Sequence, residues 1–196
     1  MGLEPENTPA SFARAIKEKV DIVELDVYIT PDQELVVSHD YPTKGKIDQT
    51  PRLGQILDLV DARAVVNIEL KGIGAARPVA RVIESYIKKG WPAKNFLVSS
   101  YSMPELAEFK SLMPDIKIAG LYFLTKVRYF AITGRVEPLS YWRRFSLRRL
   151  VRQAHANRQE IYVGSINKPG AMKRMQALGV DGIFTDRPDL AKVITD

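Results

Sequence analysis

Short apolar segments alternate with amphipathic ones along the chain of 196 residues. Apolar residues at every second position predict strands, and apolar residues three or four positions apart predict helices. The predicted strands are Asp21–Thr30, Gln33–His39, Val65–Lys71, Phe96–Ser100, Ile116–Phe123, Ile161–Ile166 and Gly182–Thr185. The predicted helices are one that begins after the N-cap Thr8, and Leu53–Val60, Ala75–Lys89, Pro104–Met113, Phe145–Asn157, Pro169–Leu178 and Pro188–Ile194. The pattern is weakest in 124–141, where we expect a helix over Lys126–Thr133 and a strand over Val136–Ser140.

This alternation indicates an α/β protein in which helices cover a parallel sheet of buried strands. A (β/α)8 barrel and a doubly wound sheet both fit that description. The sequence contains no linker or low-complexity run, so residues 1–196 are predicted to form a single domain. A complete barrel usually needs about 250 residues and rarely fewer than about 200. A barrel of 196 residues would therefore be tight.

Composition excludes several classes of protein. Apolar residues make up 45% of the chain and charged residues 27%, which is typical of a globular protein. The absence of cysteine excludes a disulfide scaffold and a thiolate metal site. No apolar run is long enough to cross a membrane, and residues 1–8 do not resemble a signal peptide. These features predict a cytoplasmic location.

The chain carries a net charge of +6, and arginines are concentrated between residues 128 and 158. The simplest interpretation is a solvated helix face, with Phe145, Leu147, Leu150 and Val151 turned to the core. The alternative is a peripheral contact between the basic 143–158 helix and an anionic membrane. No nucleic-acid-binding motif accompanies the charge, so a nucleic-acid partner is not expected.

Two carboxylates lie on one face of the strand Asp21–Thr30. Side chains alternate between the two faces of a strand, so Glu24 and Asp26 share a face that helices or neighbouring strands enclose. Two enclosed carboxylates repel each other and are costly to bury unless a cation neutralises them. A divalent metal would supply that charge, and a buried ion-pair network is the alternative.

The strand Val65–Lys71 repeats the pattern, with Glu69 and Lys71 on one face. Glu69 could be a third oxygen ligand, and three carboxylates suit Mg²⁺ or Ca²⁺ better than Zn²⁺. One lysine cannot balance three acids, which favours the metal over an ion-pair network. Lys71 could also hold an anionic oxygen. His39, at a strand end, is either a general acid or base or a structural histidine.

Six short motifs follow one another along the chain. Each is weak evidence by itself, but all six in this order are specific. They are Pro5-Glu6-Asn7-Thr8, Glu24-Leu25-Asp26, Ser38-His39-Asp40, Glu69-Leu70-Lys71, Ser99-Ser100-Tyr101 and the ending Gly179–Pro188. Together they resemble the E-N-T, E-x-D, H-D, E-x-K, serine and G-V-D-G-I-x-T-D-x-P motifs of the glycerophosphodiester phosphodiesterase family. The resemblance extends over nearly the whole chain.

The resemblance implies a TIM (β/α)8 barrel that hydrolyses glycerophosphodiesters to an alcohol and glycerol 3-phosphate, a reaction of lipid and glycerol metabolism. It implies that Glu24, Asp26 and Glu69 bind Mg²⁺ or Ca²⁺. By the same resemblance His39 is the general acid and Lys71 binds the phosphoryl oxygens. Substrate contacts are expected from Ser99 and Tyr101 as well.

Three departures from the family pattern modify these expectations. The strand that ends in H-R-G is absent, so the barrel should lack its first strand and leave a gap between Asp21–Thr30 and Gly182–Thr185. Gly164 stands where the family has a tryptophan, and the insertion after His39 is short. The open pocket favours a lysophospholipase D-type activity as one alternative. The missing H-R-G motif favours a non-catalytic phosphodiester-binding relative as another.

Overall fold

The computed structural model describes residues 2–124, 127–133 and 147–195. The helices are α1 (Pro9–Lys17), α2 (Leu53–Val60), α3 (Ala76–Lys88), α4 (Met103–Leu112), α5 (Leu147–Ala156), α6 (Pro169–Leu178) and α7 (Pro188–Thr195). The strands are β1 (Ile22–Ile29), β2 (Leu35–Val37), β3 (Val65–Leu70), β4 (Phe96–Ser100), β5 (Lys117–Leu124), β6 (Val127–Thr133), β7 (Glu160–Gly164) and β8 (Gly182–Ile183). The pattern of apolar positions therefore located most of these elements to within a few residues.

All eight strands form one sheet, in the order β2-β1-β3-β4-β5-β6-β7-β8. Residues of β8, at one edge of the sheet, and of β1, next to the opposite edge strand β2, line the same cavity, so the sheet curves round towards closure. Within the described residues, no hydrogen-bonded pairing joins β1 to β8. The sheet is thus a barrel with a seam at the position where the gap was predicted.

The main apolar core lies between the outer face of the barrel and its helices. Val23, Leu25 and Val27 of β1 point into this core and are almost fully buried. Residues of α2 and α3 cover them, because both helices are amphipathic and turn their apolar sides to the sheet. The opposite face of β1, which carries the carboxylates, consequently faces the barrel interior.

The sheet is not wholly parallel, which corrects the predicted architecture. β1 pairs antiparallel with β2, and β6 pairs antiparallel with both β5 and β7. The helix predicted over Lys126–Thr133 is wrong, because that segment is β6. Only two residues separate β5 from β6, whereas a parallel crossover needs about a dozen. The strand predicted over Val136–Ser140 lies outside the described residues.

β2 is shorter than the strand predicted over Gln33–His39 and folds back against β1. The chain reverses in a turn in which the amide of Gln33 donates to the carbonyl of Thr30 and the amide of Thr30 donates to Glu34. Gln33 adopts a left-handed conformation at this turn, with φ of 66°. His39 therefore lies beyond the end of β2, in the loop that follows it.

The basic helix α5 turns its apolar residues inward, as predicted. Leu150 and Val151 are buried and Leu147 packs against the core beside β7, while Arg148 and Arg152 are exposed. Residues 143–146, the first part of the predicted basic helix, lie outside the described residues. Among the described helices, none is long and apolar enough to cross a membrane.

A buried glutamate fixes the loop between β3 and α3. Both carboxylate oxygens of Glu105, on α4, accept hydrogen bonds from this loop: the amide of Gly74 donates at 2.7 Å and that of Ala76 at 3.0 Å. Gly74 has φ of 85°, a left-handed conformation that glycine adopts without strain. The carboxylate also lies at the N-terminus of α3, where the helix dipole favours negative charge.

We expect Glu105→Ala to lower the free energy of unfolding by about 1–3 kcal/mol, because two backbone amides lose their buried acceptor. Glu108→Ala, on the same helix, is the matched control, since Glu108 forms a surface ion pair with Arg77 at 2.9 Å. That pair should contribute less than about 1 kcal/mol. Urea denaturation measures both variants, and equal losses would contradict the assigned role of Glu105.

Candidate metal and phosphate site

The pairing of the strands places the predicted polar residues in rows inside the barrel. Asp26 of β1 is the register partner of Glu69 of β3, and Glu69 is the partner of Ser99 of β4. One layer below, Glu24 is the partner of Asn67. Because all these strands are parallel, the side chains approach one another across the inner face of the sheet.

Three carboxylates meet in this part of the barrel. Oxygen atoms of Glu24, Asp26 and Glu69 all lie within 4.8 Å of one another, a separation that one metal ion could bridge. Asp26 and Glu69 are buried and Glu24 is half-buried. The structure thus brings the three predicted carboxylates together, although Glu69 lies more than forty positions after Glu24 and Asp26 in the sequence.

The charge of the cluster fits a divalent cation. Lys71 approaches Asp26, with its Nζ 3.5 Å from Oδ1, and gives one positive charge against three negative ones. Oδ1 of Asp26 is buried and accepts no hydrogen bond in the part of the chain that the structure describes. A buried carboxylate oxygen without a donor is costly, and a bound cation would remove that cost. The donor set, all carboxylate oxygen, is that of a hard metal ion.

Asn7 holds the other oxygen of Asp26, a contact that the sequence analysis did not identify. Nδ2 of Asn7 donates to Oδ2 of Asp26 at 2.9 Å, and the amide of Asp26 donates to Oδ1 of Asn7 at 3.1 Å. Asn7 has φ of 56°, a left-handed conformation that asparagine adopts more readily than most residues. It precedes Thr8, the N-cap of α1. The E-N-T motif was the only sequence signal for this role.

His39 lines the same cavity from the loop after β2. The amide of Ser38 donates to the carbonyl of Asp26 at 3.0 Å, which ties this loop to the carboxylate cluster. Nδ1 of His39 lies 3.1 Å from Oδ1 of Asp40, and its side chain is 55% exposed. The histidine is therefore open to the cavity and to solvent.

The two predicted substrate contacts have different environments. Ser99 is fully buried, and its Oγ has no hydrogen-bond partner in the described part of the chain, while Tyr101 lines the cavity. Asn67 is also fully buried, and neither of its amide atoms has a partner among the described residues. The cavity above them has a volume of about 650 Å³. It runs from the carboxylates along the seam between β1 and β8.

An aromatic side chain occupies the space beside Gly164, where the family resemblance predicted a missing aromatic wall. A Cβ on Gly164 would lie 2.7 Å from Cβ of Phe184, too close for any side chain at this position. Phe184 follows β8, lines the cavity and packs near the ring of Tyr162, with centroids 6.0 Å apart. Phe184 therefore contributes an aromatic side chain to the cavity wall beside Gly164.

Comparison with known proteins identifies the family of the chain. A model of the glycerophosphoryl diester phosphodiesterase family matches residues 2–119 and 65–190. A glycerophosphodiester phosphodiesterase of Bacillus altitudinis is 29% identical over an alignment of 229 positions, gaps included, which covers 98% of this chain and 93% of that protein. One from Caldanaerobacter subterraneus subsp. tengcongensis is 29% identical and covers 94% and 90%.

Solved structures share the fold. A phosphodiesterase of Oleispira antarctica, in complex with the product sn-glycerol-3-phosphate, superposes with a TM-score of 0.78 at 20% identity, over 98% of this chain and 92% of that one. A glycerophosphodiester phosphodiesterase of Parabacteroides distasonis gives 0.75 at 24% identity, over 97% and 90%. The fold is that of the TIM-barrel phosphoric diester hydrolases. Within that class, the chain belongs to the glycerophosphoryl diester phosphodiesterase family.

The contact between Asn7 and Asp26 should control both stability and the carboxylate cluster. We expect Asn7→Ala to lower the free energy of unfolding by about 1–3 kcal/mol, because Asp26 loses two hydrogen bonds. We also expect it to weaken divalent-metal binding, since Asp26 is no longer held in place. Urea denaturation and calorimetric titration with Mg²⁺ or Ca²⁺ measure the two effects.

Asn95→Ala is the matched control for this variant. Nδ2 of Asn95 donates to the carbonyl of Ala62 at 2.7 Å, away from the cavity. This control should lose stability and keep its metal affinity. An Asn7→Ala variant that binds metal as tightly as the parent protein would rule out the positioning role of Asn7.

Proposed function

We propose that the protein hydrolyses glycerophosphodiesters to an alcohol and glycerol 3-phosphate in a metal-dependent reaction. The observation that carries the proposal is the convergence of three carboxylates and Lys71 inside the barrel, in a chain of this family. The reaction belongs to lipid and glycerol metabolism, because its substrates are deacylated phospholipids.

Glu24, Asp26 and Glu69 would hold the metal, for which Mg²⁺ and Ca²⁺ are the candidates. Both are hard cations that prefer oxygen ligands, and the cluster offers only carboxylates. A divalent ion bound here would neutralise phosphoryl charge and orient the attacking oxygen. The choice between the two ions depends on ligand number and on how far the cluster can adjust.

Lys71 and His39 would act on the substrate itself. The ammonium of Lys71, which lies near Asp26, would bind a phosphoryl oxygen as a point charge. His39 in its protonated form would give its proton to the departing alkoxide as the P–O bond breaks. The attacking water forms the new P–O bond and releases a proton, which restores the acid form of His39.

Ser99 and Tyr101 would contact the substrate from β4 and its carboxyl end. Tyr101 lines the cavity directly. Ser99 lies deeper, in the row of Asp26 and Glu69, with a hydroxyl that has no partner in the described part of the chain. A buried hydroxyl in this position can donate to a carboxylate, to a bound water or to the substrate.

Metal binding should be visible as a gain in thermal stability. At a metal concentration of about 100 times Kd, binding adds about 2.7 kcal/mol to the free energy of unfolding. This corresponds to a rise in Tm of about 5–10 °C for a chain of this size. Glu69→Gln should abolish the rise, and in EDTA it should not lower Tm, because it relieves repulsion with Asp26.

Glu108→Gln is the control for the metal experiment, because it removes an exposed carboxylate on α4, outside the cavity. It should leave the metal-induced rise in Tm intact. A rise that survives in Glu69→Gln would exclude the carboxylate cluster as the metal site.

Hydrolysis of glycerophosphocholine tests the activity, with release of glycerol 3-phosphate as the measurement. His39→Ala should lower kcat by about a hundredfold or more, the usual contribution of a general acid. His155→Ala is the matched control, since His155 pairs with Asp181 at 3.0 Å on the helix side of the barrel. The control should retain the parent rate.

Two outcomes would contradict the proposal in different ways. Metal binding without turnover of any glycerophosphodiester would favour a non-catalytic phosphodiester-binding protein. Turnover that is equally fast in His39→Ala would keep the reaction and exclude His39 as its acid.

A further inference from the structure

Asn67 places a buried amide in the interior of the barrel. It lies in the middle of β3, between Val66 and Ile68, whose side chains are buried on the opposite face of the strand. Side chains alternate along a strand, so Asn67 shares the inner face with Glu69. Its side chain is fully buried, and neither Nδ2 nor Oδ1 has a hydrogen-bond partner in the described part of the chain. The amide is therefore desolvated without the hydrogen bonds that normally offset this cost.

Packing does not require a polar residue at this position. The register partner of Asn67 on β4 is Leu97, which is buried in an apolar cluster with Ala119. Val65, two residues before Asn67 on the same face, packs against this cluster. A leucine has the same branching as asparagine and would suit these neighbours better. A buried amide beside apolar side chains therefore indicates a role other than packing.

On its other side, Asn67 borders the carboxylate cluster. Its register partner on β1 is Glu24, and Glu69 follows two residues later on the same face of β3. Oxygen atoms of these two glutamates and of Asp26 lie within 4.8 Å of one another. Paired strands lie about 4.8 Å apart, so the amide of Asn67 is within reach of the carboxylate of Glu24.

The amide combines a hydrogen-bond donor with zero charge. A fourth carboxylate at this position would increase the repulsion among the three acids, whereas Nδ2 of an asparagine donates without adding charge. Glu24 and Asp26 line the cavity, and Asn67 is not among the described residues that do so. Asn67 is therefore placed to act on a ligand in the cavity through a neighbouring carboxylate.

We infer that Asn67 is a positioning residue for the metal site, and that Nδ2 donates to the carboxylate of Glu24 when a divalent ion is bound. The inference rests on the proposed function, because it takes the carboxylate cluster as the metal site. The hydrogen bond fixes the orientation of the Glu24 carboxylate and gives the buried amide its missing partner. Side chains that orient metal ligands in this way typically contribute about 10- to 100-fold in metal affinity.

Asn67→Leu tests the inference, because it keeps the branching of the side chain and removes its polar atoms. Calorimetric titration with Mg²⁺, and separately with Ca²⁺, measures Kd, which we expect to rise by about 10- to 100-fold. In EDTA the variant should have the Tm of the parent protein or a higher one, because it buries no unpartnered amide. Asn67→Ala adds no volume to the interior and should weaken metal binding as well. Parent-like affinity in both variants would overturn the inference.

Asn95→Leu is the matched control for this substitution. Nδ2 of Asn95 donates to the carbonyl of Ala62 at 2.7 Å, away from the carboxylate cluster. The control should lower Tm and leave Kd for the metal unchanged, which is the reverse of the result expected for Asn67→Leu.

A double-mutant cycle tests whether Asn67 acts through Glu24. In a Glu24→Ala background, Asn67→Leu should cause no further loss of metal affinity, because the carboxylate that the amide orients is gone. The metal-induced rise in Tm extends the measurement to weak binding. A further loss as large as that in the parent background would overturn the inference and make Asn67 a direct ligand.

These measurements use no substrate, so they separate this inference from the proposed function. If Asn67→Leu weakens metal binding but no glycerophosphodiester is hydrolysed by the parent protein, the proposed reaction fails and the role of Asn67 stands. If glycerophosphocholine is hydrolysed and Asn67→Leu and Asn67→Ala bind metal as the parent does, the role of Asn67 fails alone. A parent protein that binds neither ion would overturn both.

Discussion

Electrostatic repulsion among Glu24, Asp26 and Glu69 is the constraint around which the barrel interior is organised. Desolvation and mutual repulsion both oppose three ionised carboxylates within 4.8 Å of one another. One lysine offsets part of that cost. The strands therefore hold the carboxylates together against this cost, in an arrangement that could accommodate a metal ion.

The register between β1 and β3 is what keeps these charges out of the apolar core. Asp26 is opposite Glu69, and on the other face Leu25 is opposite Ile68. A slip of one residue would exchange the faces of a strand, moving carboxylates into the cluster beneath α2 and α3. The alternation of apolar and charged residues thus specifies the pairing and the site together. Hydrogen bonds from Asn7 and Ser38 to Asp26 then tie two loops to the same point.

The sequence predicted the structure best in segments where apolar residues recur with one regular spacing. Period two in β1 and β3 predicted both the core face and the carboxylate face, which the structure confirms. The pattern failed in β6, where Val127–Thr133 was assigned to a helix. This segment is rich in β-branched and aromatic residues, and its conformation is decided by pairing with β5 and β7 on either side. Such distant pairing is not visible in a local window.

The wall of the cavity shows a second limit of sequence analysis, because the role of one residue depends on a neighbour that is distant in sequence. Gly164 alone suggested that an aromatic surface had been lost from the pocket. In the structure the glycine is required by Phe184, because any Cβ at 164 would collide with the phenylalanine. The two positions are 20 residues apart in sequence and adjacent across the β7–β8 edge. At this point of the cavity wall, the aromatic side chain therefore comes from the residue after β8 rather than from β7. Residue changes at one strand end must therefore be judged together with those of the neighbouring strand.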